Sequence, residues 1–341
     1  MQLLAHDHGM TRHAPHLSAR YNHSHHAKAP AQVLPILDVS AFQVPQRFVL
    51  AVAAHCFAEQ ERAEALGIAT PFETEEGQVA LAEMAEAYWP EINELAGLVR
   101  EMIDLDPACV LLRGLGYNRY PQPVRDTLVL ALTHGVGKPT DHNNDKRVLW
   151  PVKARDEQVR KTVDYKTTFS EEAGEAPLHS DSAFASRPEK YNALFVVKQA
   201  REGGKSVLLN VPRLIDELDQ TVEGRECIQI LRDNEFPFRV PDAFFRDERL
   251  MTAPVLGDEP FVRFRHDCLM AGFALREDLR TNERLWAIEH FRAKAEASEA
   301  RVFYQLQPDE AVIIDNHKML HARTDFSDRE RHLIRVRMHA A

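Results

Sequence analysis

The stretch Pro177-Leu178-His179-Ser180-Asp181-Ser182-Ala183-Phe184 contains the only His-x-Asp or His-x-Glu triplet in this chain of 341 residues. It begins as an apolar strand and places a histidine and an aspartate two residues apart. Side chains two apart on a strand point to the same side, so His179 and Asp181 can bind one metal ion while Ser180 turns away. The stretch therefore predicts a core strand that ends in two metal ligands.

The third ligand has to come from elsewhere in the chain. His321 lies in a late apolar segment, and Arg331 follows it. Two imidazoles and one carboxylate bind one face of an octahedral ferrous ion and leave positions open for a co-substrate and oxygen. The three residues together indicate an oxygenase. Without this context, a surface His-Asp hydrogen-bonded pair would be the simpler explanation of the triplet.

The composition favours a small-molecule partner. The net charge of −10 and the pI near 5.9 argue against nucleic acid or an anionic membrane, because those partners select clustered Lys and Arg. The four cysteines lie far apart without a Cys-x-x-Cys pair, which argues against a disulfide framework. No signal peptide and no apolar run of about 18 residues occurs, so we expect a cytoplasmic protein. A homo-oligomer stays open.

The chain is expected to consist of a tail and one domain. Residues 1–33 show little apolar periodicity and hold seven of the 17 histidines, namely His6, His8, His13, His16, His23, His25 and His26. Such a segment is typical of a flexible tail; adventitious metal binding there is an alternative, but the histidines have no preset geometry. Residues 34–341 have no long linker and are expected to form a single domain.

Helices precede strands along this domain, with residues 34–107 mostly helical and 108–341 mostly β. Helical periodicity is expected at 44–66, 75–103 with an interruption near Pro90, 123–133, 212–221 and 282–295. Short strands are expected at 33–41, 110–115, 194–197, 206–210, 261–264, 302–305, 311–314 and 333–338. Asp315-Asn316 is expected to form the turn before the strand of His321. This order predicts a mainly β fold with flanking helices, a double-stranded β-helix (a cupin-like jelly roll), with the metal at its mouth.

Four blocks of sequence, in order, resemble the Fe(II)/2-oxoglutarate-dependent oxygenases of the taurine dioxygenase (TauD/TfdA) and clavaminate synthase-like superfamily. The blocks are Pro177 to Phe184, Glu202-Gly203-Gly204-Lys205-Ser206, Asp315 to Phe326, and Arg331 to Val336. The resemblance covers roughly residues 108–339. It implies Fe(II) as the metal, with 2-oxoglutarate and O2 as co-substrates.

The resemblance also implies roles for individual residues. His179, Asp181 and His321 match the iron ligands, and Arg331 matches the arginine that binds the distal carboxylate of 2-oxoglutarate with its planar fork of donors. Ser206 stands where family members usually carry threonine, whose hydroxyl binds the same carboxylate. Serine keeps this hydroxyl and loses a methyl contact. An ordinary strand hydroxyl is the alternative for Ser206.

Substrate-binding residues are less specifically indicated. Arg335 matches an arginine that binds a substrate carboxylate in the clavaminate-like branch, with a structural ion pair as the alternative. Arg263 and Arg265 alternate in an expected strand, and one of them, with Arg265 the chosen candidate, is expected to line the pocket. Ser182 is a further candidate. These residues favour a small anionic or zwitterionic substrate.

The reaction expected from the resemblance is hydroxylation of an unactivated C–H bond in an amino acid or amino-acid-derived metabolite, with succinate and CO2 as co-products. A sulfonate or another carboxylate, and desaturation or cyclisation, stay open. A non-catalytic jelly roll that binds a metal or ligand is another alternative. A hydrolase that uses Ser180 or Ser182 with His179 and Asp181 is disfavoured, because these groups crowd on one strand and no Gly-x-Ser-x-Gly elbow occurs.

Overall fold

The computed structural model describes residues 34–141, 147–154, 169–244, 249–257 and 259–340. The expected flexible tail, residues 1–33, lies outside this part of the chain. Within it, none of the helices combines the length and the apolarity that crossing a membrane requires.

Five helices form a layer at the start of the chain. They are α1 (Gln46–Ala58), α2 (Gln60–Leu66), α3 (Glu75–Tyr88), α4 (Glu91–Asp104) and α5 (Gln122–Val136). The helical segment expected at 75–103 is divided at Trp89 and Pro90, as predicted. The segment expected at 44–66 is also divided, at Glu59, which the periodicity did not indicate.

In the described part of the chain, four further helices lie among the later strands. They are α6 (Val211–Asp219), α7 (Val222–Asp233), α8 (His266–Phe273) and α9 (Asn282–Ala297). Only α6 and α9 were predicted. Side chains that accept a hydrogen bond from the first helical turn cap α6, α7 and α9, and these caps are Asn210, Thr221 and Thr281.

The strands are short, and several follow the predicted ranges closely. They are β1 (Ile36–Asp38), β2 (Cys109–Arg113), β3 (Lys138–Thr140), β4 (Trp150–Val152), β5 (Ala176–His179), β6 (Tyr191–Lys198), β7 (Ser206–Asn210), β8 (Phe236–Arg239), β9 (Leu250–Ala253), β10 (Arg301–Tyr304), β11 (Ala311–Asp315), β12 (Met319–Arg323) and β13 (His332–His339).

Two sheets carry the core of the fold. The larger sheet has the order β1-β2-β11-β6-β13-β3, with β4 also paired to β13, and the smaller sheet has the order β10-β7-β12-β5. All these pairings are antiparallel except that of β1 with β2. A separate hairpin joins β8 and β9. The predicted jelly roll with flanking helices is therefore confirmed.

Alternating side chains on the strands supply the layers of the core. Ile314 on β11 packs with Leu208 on β7 and Met319 on β12, between the two sheets. Its neighbour Ile313 points to the other face of the larger sheet and belongs to the apolar cluster that includes buried residues of α1, α3, α4 and α5. The outer face of the smaller sheet packs in the same way against α6 to α9. Apolar burial on both faces of each sheet stabilises this layered arrangement.

The strand predicted at residues 261–264 is not formed. Only Val262 makes an isolated bridge, to Leu256. The backbone of this segment forms hydrogen bonds with other parts of the fold instead. Val262 N donates to His317 O, Phe264 N donates to Oγ of Ser180, and Ser180 N donates to Phe264 O. His321 lies in the middle of β12.

Candidate active site

Strand pairing brings the two candidate histidine ligands together. β5 ends at His179, and β12 runs antiparallel to it with His321 directly opposite. Directly opposite residues of an antiparallel pair present their side chains on the same face. The two imidazole centroids are 4.3 Å apart.

Asp181 is held beside these histidines by the turn between β11 and β12. Its backbone N–H donates to Oδ1 of Asn316 over 2.8 Å, and Nδ2 of Asn316 donates to the backbone oxygen of Asp181 over 3.0 Å. The Asp315-Asn316 turn predicted from the sequence is present before β12. Asn316 therefore fixes the position of Asp181 relative to the strand of His321.

The three side chains form a site of the right size for one metal ion. Oδ1 of Asp181 is 3.7 Å from Nε2 of His179 and 3.8 Å from Nε2 of His321. One ligand atom from each of the three residues lies within 4.8 Å of the others. It is the sole group of this kind in the described part of the chain.

The protonation states suit metal binding. Burial, and then the charge of His321, lowers the pKa of His179 to about 3. Burial by itself would raise the pKa of Asp181, but the charges of Arg335 and the two histidines hold that pKa well below its usual range. At neutral pH the site thus offers neutral imidazole and carboxylate, the forms that bind metals. Nδ1 of His179 lies 2.8 Å from the oxygen of Pro177, which leaves Nε2 to face the carboxylate.

The second carboxylate oxygen of Asp181 has its own partners. Nδ2 of Asn192 donates to Oδ2 over 2.9 Å. Nη1 of Arg335 contacts both carboxylate oxygens, lying 3.2 Å from Oδ2 and donating to Oδ1 over 3.3 Å. Oδ1 is also the oxygen that faces the two histidines. Asn192 was not singled out from the sequence. It is a polar residue inside the apolar strand β6, and this contrast could have identified it.

Arg331 is a buried cation without an anionic partner among the described residues. It is 5% exposed, and its guanidinium lies 5.0 Å from the ring of Phe326. Burial, and then the charge of Arg323, lowers the pKa of Arg331 to about 9. A buried charge without a counter-ion is costly. Arg331 is therefore suited to bind an anion that enters the fold.

Two glycines precede β7, and the second of them makes room for Arg331. Gly203 and Gly204 have φ angles of 68° and 63°, which disfavour other residues. A Cβ at Gly204 would lie 3.3 Å from Nε of Arg331. Ser206 follows as the first residue of β7, opposite Arg323 of β12, and is buried. Its hydroxyl makes no hydrogen bond with another described side chain or backbone group.

The candidate metal ligands open into a small cavity with a cationic wall. It is lined by His179, Asp181, Ser182, Ser170, Phe169, Phe184, Phe244, Arg265, Arg335 and Arg337. Arg335, Arg265 and Ser182, the three substrate-binding candidates from the sequence, therefore share one cavity. Arg337 was not singled out; it lies two residues after Arg335 on β13 and donates to the hydroxyl of Ser182.

The structure shows which of Arg263 and Arg265 lines the cavity. Arg265 lines the cavity, with its guanidinium 4.7 Å from the ring of Phe169. Arg263 instead donates to the backbone oxygens of Ala185 and Ser186. Arg263 therefore has a structural role: it holds the segment that follows His179 and Asp181.

The serine between His179 and Asp181 does not face them. The hydroxyl of Ser180 accepts a hydrogen bond from the backbone N–H of Phe264 over 3.0 Å, and its own N–H donates to Phe264 O over 2.8 Å. Ser180 thus anchors the neighbouring segment and is not placed as a nucleophile, which a serine hydrolase would need.

Comparison with known proteins agrees with these features. A family model described as "Taurine catabolism dioxygenase TauD, TfdA family" matches residues 89–337. A search of curated proteins found no match. Among solved structures, asparagine oxygenase in complex with Fe(II), 2S,3S-3-hydroxyasparagine and succinate has a TM-score of 0.67 at 16% identity, covering 90% of this chain and 93% of its own.

Two structures of the non-heme iron oxygenase OrfP are also similar. The complex with Fe and alpha-ketoglutaric acid has a TM-score of 0.61 at 16% identity and covers 91% of this chain and 95% of its own. The complex with Fe, succinate and (3S)-hydroxy-L-Arg has a TM-score of 0.60 at 15% identity, with coverages of 90% and 95%. At these identities the structural matches establish the common fold.

Proposed function

Since this chain belongs to the TauD/TfdA family of dioxygenases and is an iron(II)- and 2-oxoglutarate-dependent oxygenase, we propose that it hydroxylates a C–H bond of a small amino acid or amino-acid-derived metabolite. The reaction consumes substrate R–H, O2 and 2-oxoglutarate and yields R–OH, succinate and CO2. One oxygen atom enters the product and the other enters succinate. Iron, when bound, supplies the activation of O2, and the protein supplies position and electrostatics.

The convergence of His179, Asp181 and His321 carries this proposal. Their ligand atoms lie within 4.8 Å of one another, two are neutral imidazoles, and the third is an ionised carboxylate. These residues are the proposed iron ligands. Three ligands on one face leave open positions for the co-substrate, as non-haem iron oxygenases require.

Arg331 is the proposed partner of the distal carboxylate of 2-oxoglutarate. Its burial without a counter-ion among the described residues supports this role. A guanidinium can meet a carboxylate with two parallel N–H donors, which gives a charge-assisted bidentate pair. The hydroxyl of Ser206 is proposed to add a hydrogen bond to the same carboxylate.

The cavity beside the metal ligands is the proposed substrate site. Arg335, Arg265 and Ser182 line it and favour an anionic or zwitterionic molecule. The structurally similar asparagine oxygenase and OrfP carry hydroxylated amino acids in their complexes, which supports an amino-acid substrate here. The proposal includes a cytoplasmic location, supported by four buried cysteines with free thiols.

An anaerobic titration tests the metal and co-substrate sites before any substrate is known. Protein with Fe(II) and 2-oxoglutarate is expected to show the weak visible charge-transfer band of a keto acid chelated to iron. His179→Ala is expected to abolish the band, because it removes a ligand. Arg331→Gln is expected to form it only at about tenfold or more higher 2-oxoglutarate, because a charge-assisted hydrogen-bond pair is lost.

His290→Ala is the matched control, since His290 lies on α9, outside the metal ligands and the cavity lining. It should leave the band unchanged. Arg331→Lys keeps the charge but loses the bidentate fork, and should lie between wild type and Arg331→Gln. Absence of the band from iron-replete wild type would contradict the proposed sites.

A further inference from the structure

Among the described residues, the cavity beside the candidate metal ligands is lined by more cations than anions. These lining residues include three arginines and one carboxylate, that of Asp181. Arg335 pairs with Asp181 over 3.2 Å. Arg337 lies at the hydroxyl of Ser182, with its Nε 3.8 Å from Oε1 of Glu189. The third arginine, Arg265, pairs with Asp267, and neither Asp267 nor Glu189 lines the cavity.

The guanidinium of Arg265 is fixed along one edge. Its Nε and Nη2 donate to the two carboxylate oxygens of Asp267, each over 3.1 Å. Asp267 does not line the cavity, and its side chain is about half exposed. A bidentate pair of this kind defines the plane and direction of the guanidinium. The third nitrogen, Nη1, makes no hydrogen bond within the described part of the chain.

Aromatic rings hold the rest of the Arg265 side chain. Its guanidinium carbon lies 4.7 Å from the ring centre of Phe169 and 5.8 Å from that of Phe184. The ring of Phe169 in turn lies 5.2 Å from the imidazole of His179. Arg265 is 8% exposed. One aromatic ring thus separates a buried, preorganised cation from a candidate iron ligand.

These contacts leave Arg265 able to bind a second anionic group of a small molecule. Arg331, the proposed partner of the distal carboxylate of 2-oxoglutarate, is not among the residues that line this cavity, so Arg265 is a separate cationic group. A cationic side chain could not bind at Nη1 of Arg265, because a guanidinium is positively charged and only donates hydrogen bonds. A neutral amide would accept hydrogen bonds but offer no charge, and charged pairs are roughly twice as strong.

We propose that Arg265 binds a second carboxylate and that the substrate is therefore an acidic amino acid or a derivative that keeps both carboxylates. One carboxylate would lie at Arg335 and the other at Nη1 of Arg265, with the C–H bond to be oxidised between them, facing the metal. The cavity has a volume of only about 20 Å³, so its side chains would move apart as the substrate enters. This inference rests on the proposed function and assigns its substrate class.

Pairs of amino acids that differ only by carboxylate and amide test the inference directly. Aspartate with asparagine, and glutamate with glutamine, are titrated anaerobically into the protein with Fe(II) and 2-oxoglutarate. Binding is measured by calorimetry and by the shift of the visible charge-transfer band. The acidic member of at least one pair is expected to bind about tenfold or more tightly than its amide, because it gains a charged partner.

Arg265→Gln shows whether Arg265 causes this preference. The variant is expected to bring the acid and the amide to similar affinity while the band with 2-oxoglutarate alone persists. A merely structural role would weaken both members of a pair equally and leave their ratio unchanged. Arg265→Lys, which keeps the charge without the fork, is expected to retain part of the preference.

Two results overturn the inference. The first is that wild-type protein binds neither acidic amino acid more tightly than its amide. This measurement does not depend on the folding of a variant. The other is a folded Arg265→Gln variant, checked by circular dichroism, that keeps the wild-type ratio. In either case a normal band leaves the proposed function intact, whereas loss of the band from wild type contradicts that function instead.

Discussion

At Asp181, the two carboxylate oxygens face different neighbours. Oδ1 lies near the two histidine Nε2 atoms, and Oδ2 accepts a hydrogen bond from Asn192. Hydrogen bonds to a ligating carboxylate orient it and tune its affinity for metal. Asn192 is therefore a positioning residue that holds Oδ2 and so fixes the orientation in which Oδ1 faces the two histidines.

Replacement of Asn192 should weaken metal binding without removing a ligand. Asn192→Ala is expected to lower the affinity for Fe(II) by about tenfold or more, the range seen when such outer partners are lost. Asn192→Asp should be worse, because a second carboxylate would face Oδ2 of Asp181. Anaerobic Fe(II) titration measures both, with Asn234→Ala at the end of α7 as the control. Equal Fe(II) affinity in wild type and Asn192→Ala would contradict the positioning role.

The sequence pattern identified the candidate ligands but not their supports. His179, Asp181 and His321 are residue types that metals select, and their spacing follows from strand geometry. Asn192 is an ordinary residue type whose role depends on the pairing of strands distant in sequence. Arg265 was separated from Arg263 only by the structure, because the alternation argument assumed a strand that does not form.

At the scale of elements, the glycine turn before β7 contacts Arg331, which lies just before β13. Gly204 has a φ of 63°, and its missing Cβ leaves room for Nε of Arg331. Arg331 itself lies just before β13, beside the bulge between His332 and Leu333. The glycine turn therefore both sets the path of the chain and places Arg331, the proposed ligand of 2-oxoglutarate.

A comparison of Gly204→Ala with Gly67→Ala separates the effect on backbone conformation from the effect on Arg331. Both glycines have φ angles near 65°, so each alanine is expected to cost about 1 kcal/mol in the free energy of unfolding. A Cβ at Gly67 would meet nothing within 4 Å, whereas one at Gly204 would crowd Arg331. Only Gly204→Ala should therefore raise the 2-oxoglutarate concentration needed for half-maximal band formation.

Chemical denaturation and the anaerobic titration measure the two effects separately. If both alanine variants needed the same 2-oxoglutarate concentration as wild type, the glycine turn would have no role in placing Arg331. The sequence predicted β7 with its observed bounds because its apolar run is short and follows a glycine turn. It did not predict α8, because the preceding residues were read as a strand.

At the scale of the molecule, the order of helices and strands was enough to predict two sheets with flanking helices. The strand order was not predictable in the same way. β11 lies between β2 and β6, and β12 lies between β5 and β7, so every one of these pairs joins segments distant in the sequence. Local periodicity carries no information on which distant edges meet. The position of the candidate site depends on these pairings.

The candidate site connects both sheets, which leads to a prediction about stability. The proposed metal ligands belong to β5 and β12 of the smaller sheet and to the residues after β5, whereas Arg331 leads into β13 of the larger sheet. The metal should stabilise one sheet by itself. 2-Oxoglutarate, bound between the metal and Arg331, should then stabilise the association of the two sheets.

Thermal unfolding under anaerobic conditions measures both contributions. A ligand at about 100 times its dissociation constant adds about 2.7 kcal/mol to the free energy of unfolding. Fe(II) alone is therefore expected to raise the midpoint by several degrees, and 2-oxoglutarate to raise it further only when Fe(II) is present. Arg331→Gln should keep the first shift and lose most of the second, whereas His179→Ala should lose both. A 2-oxoglutarate shift that is the same size in Arg331→Gln as in wild type would mean that the co-substrate binds elsewhere and does not join the two sheets.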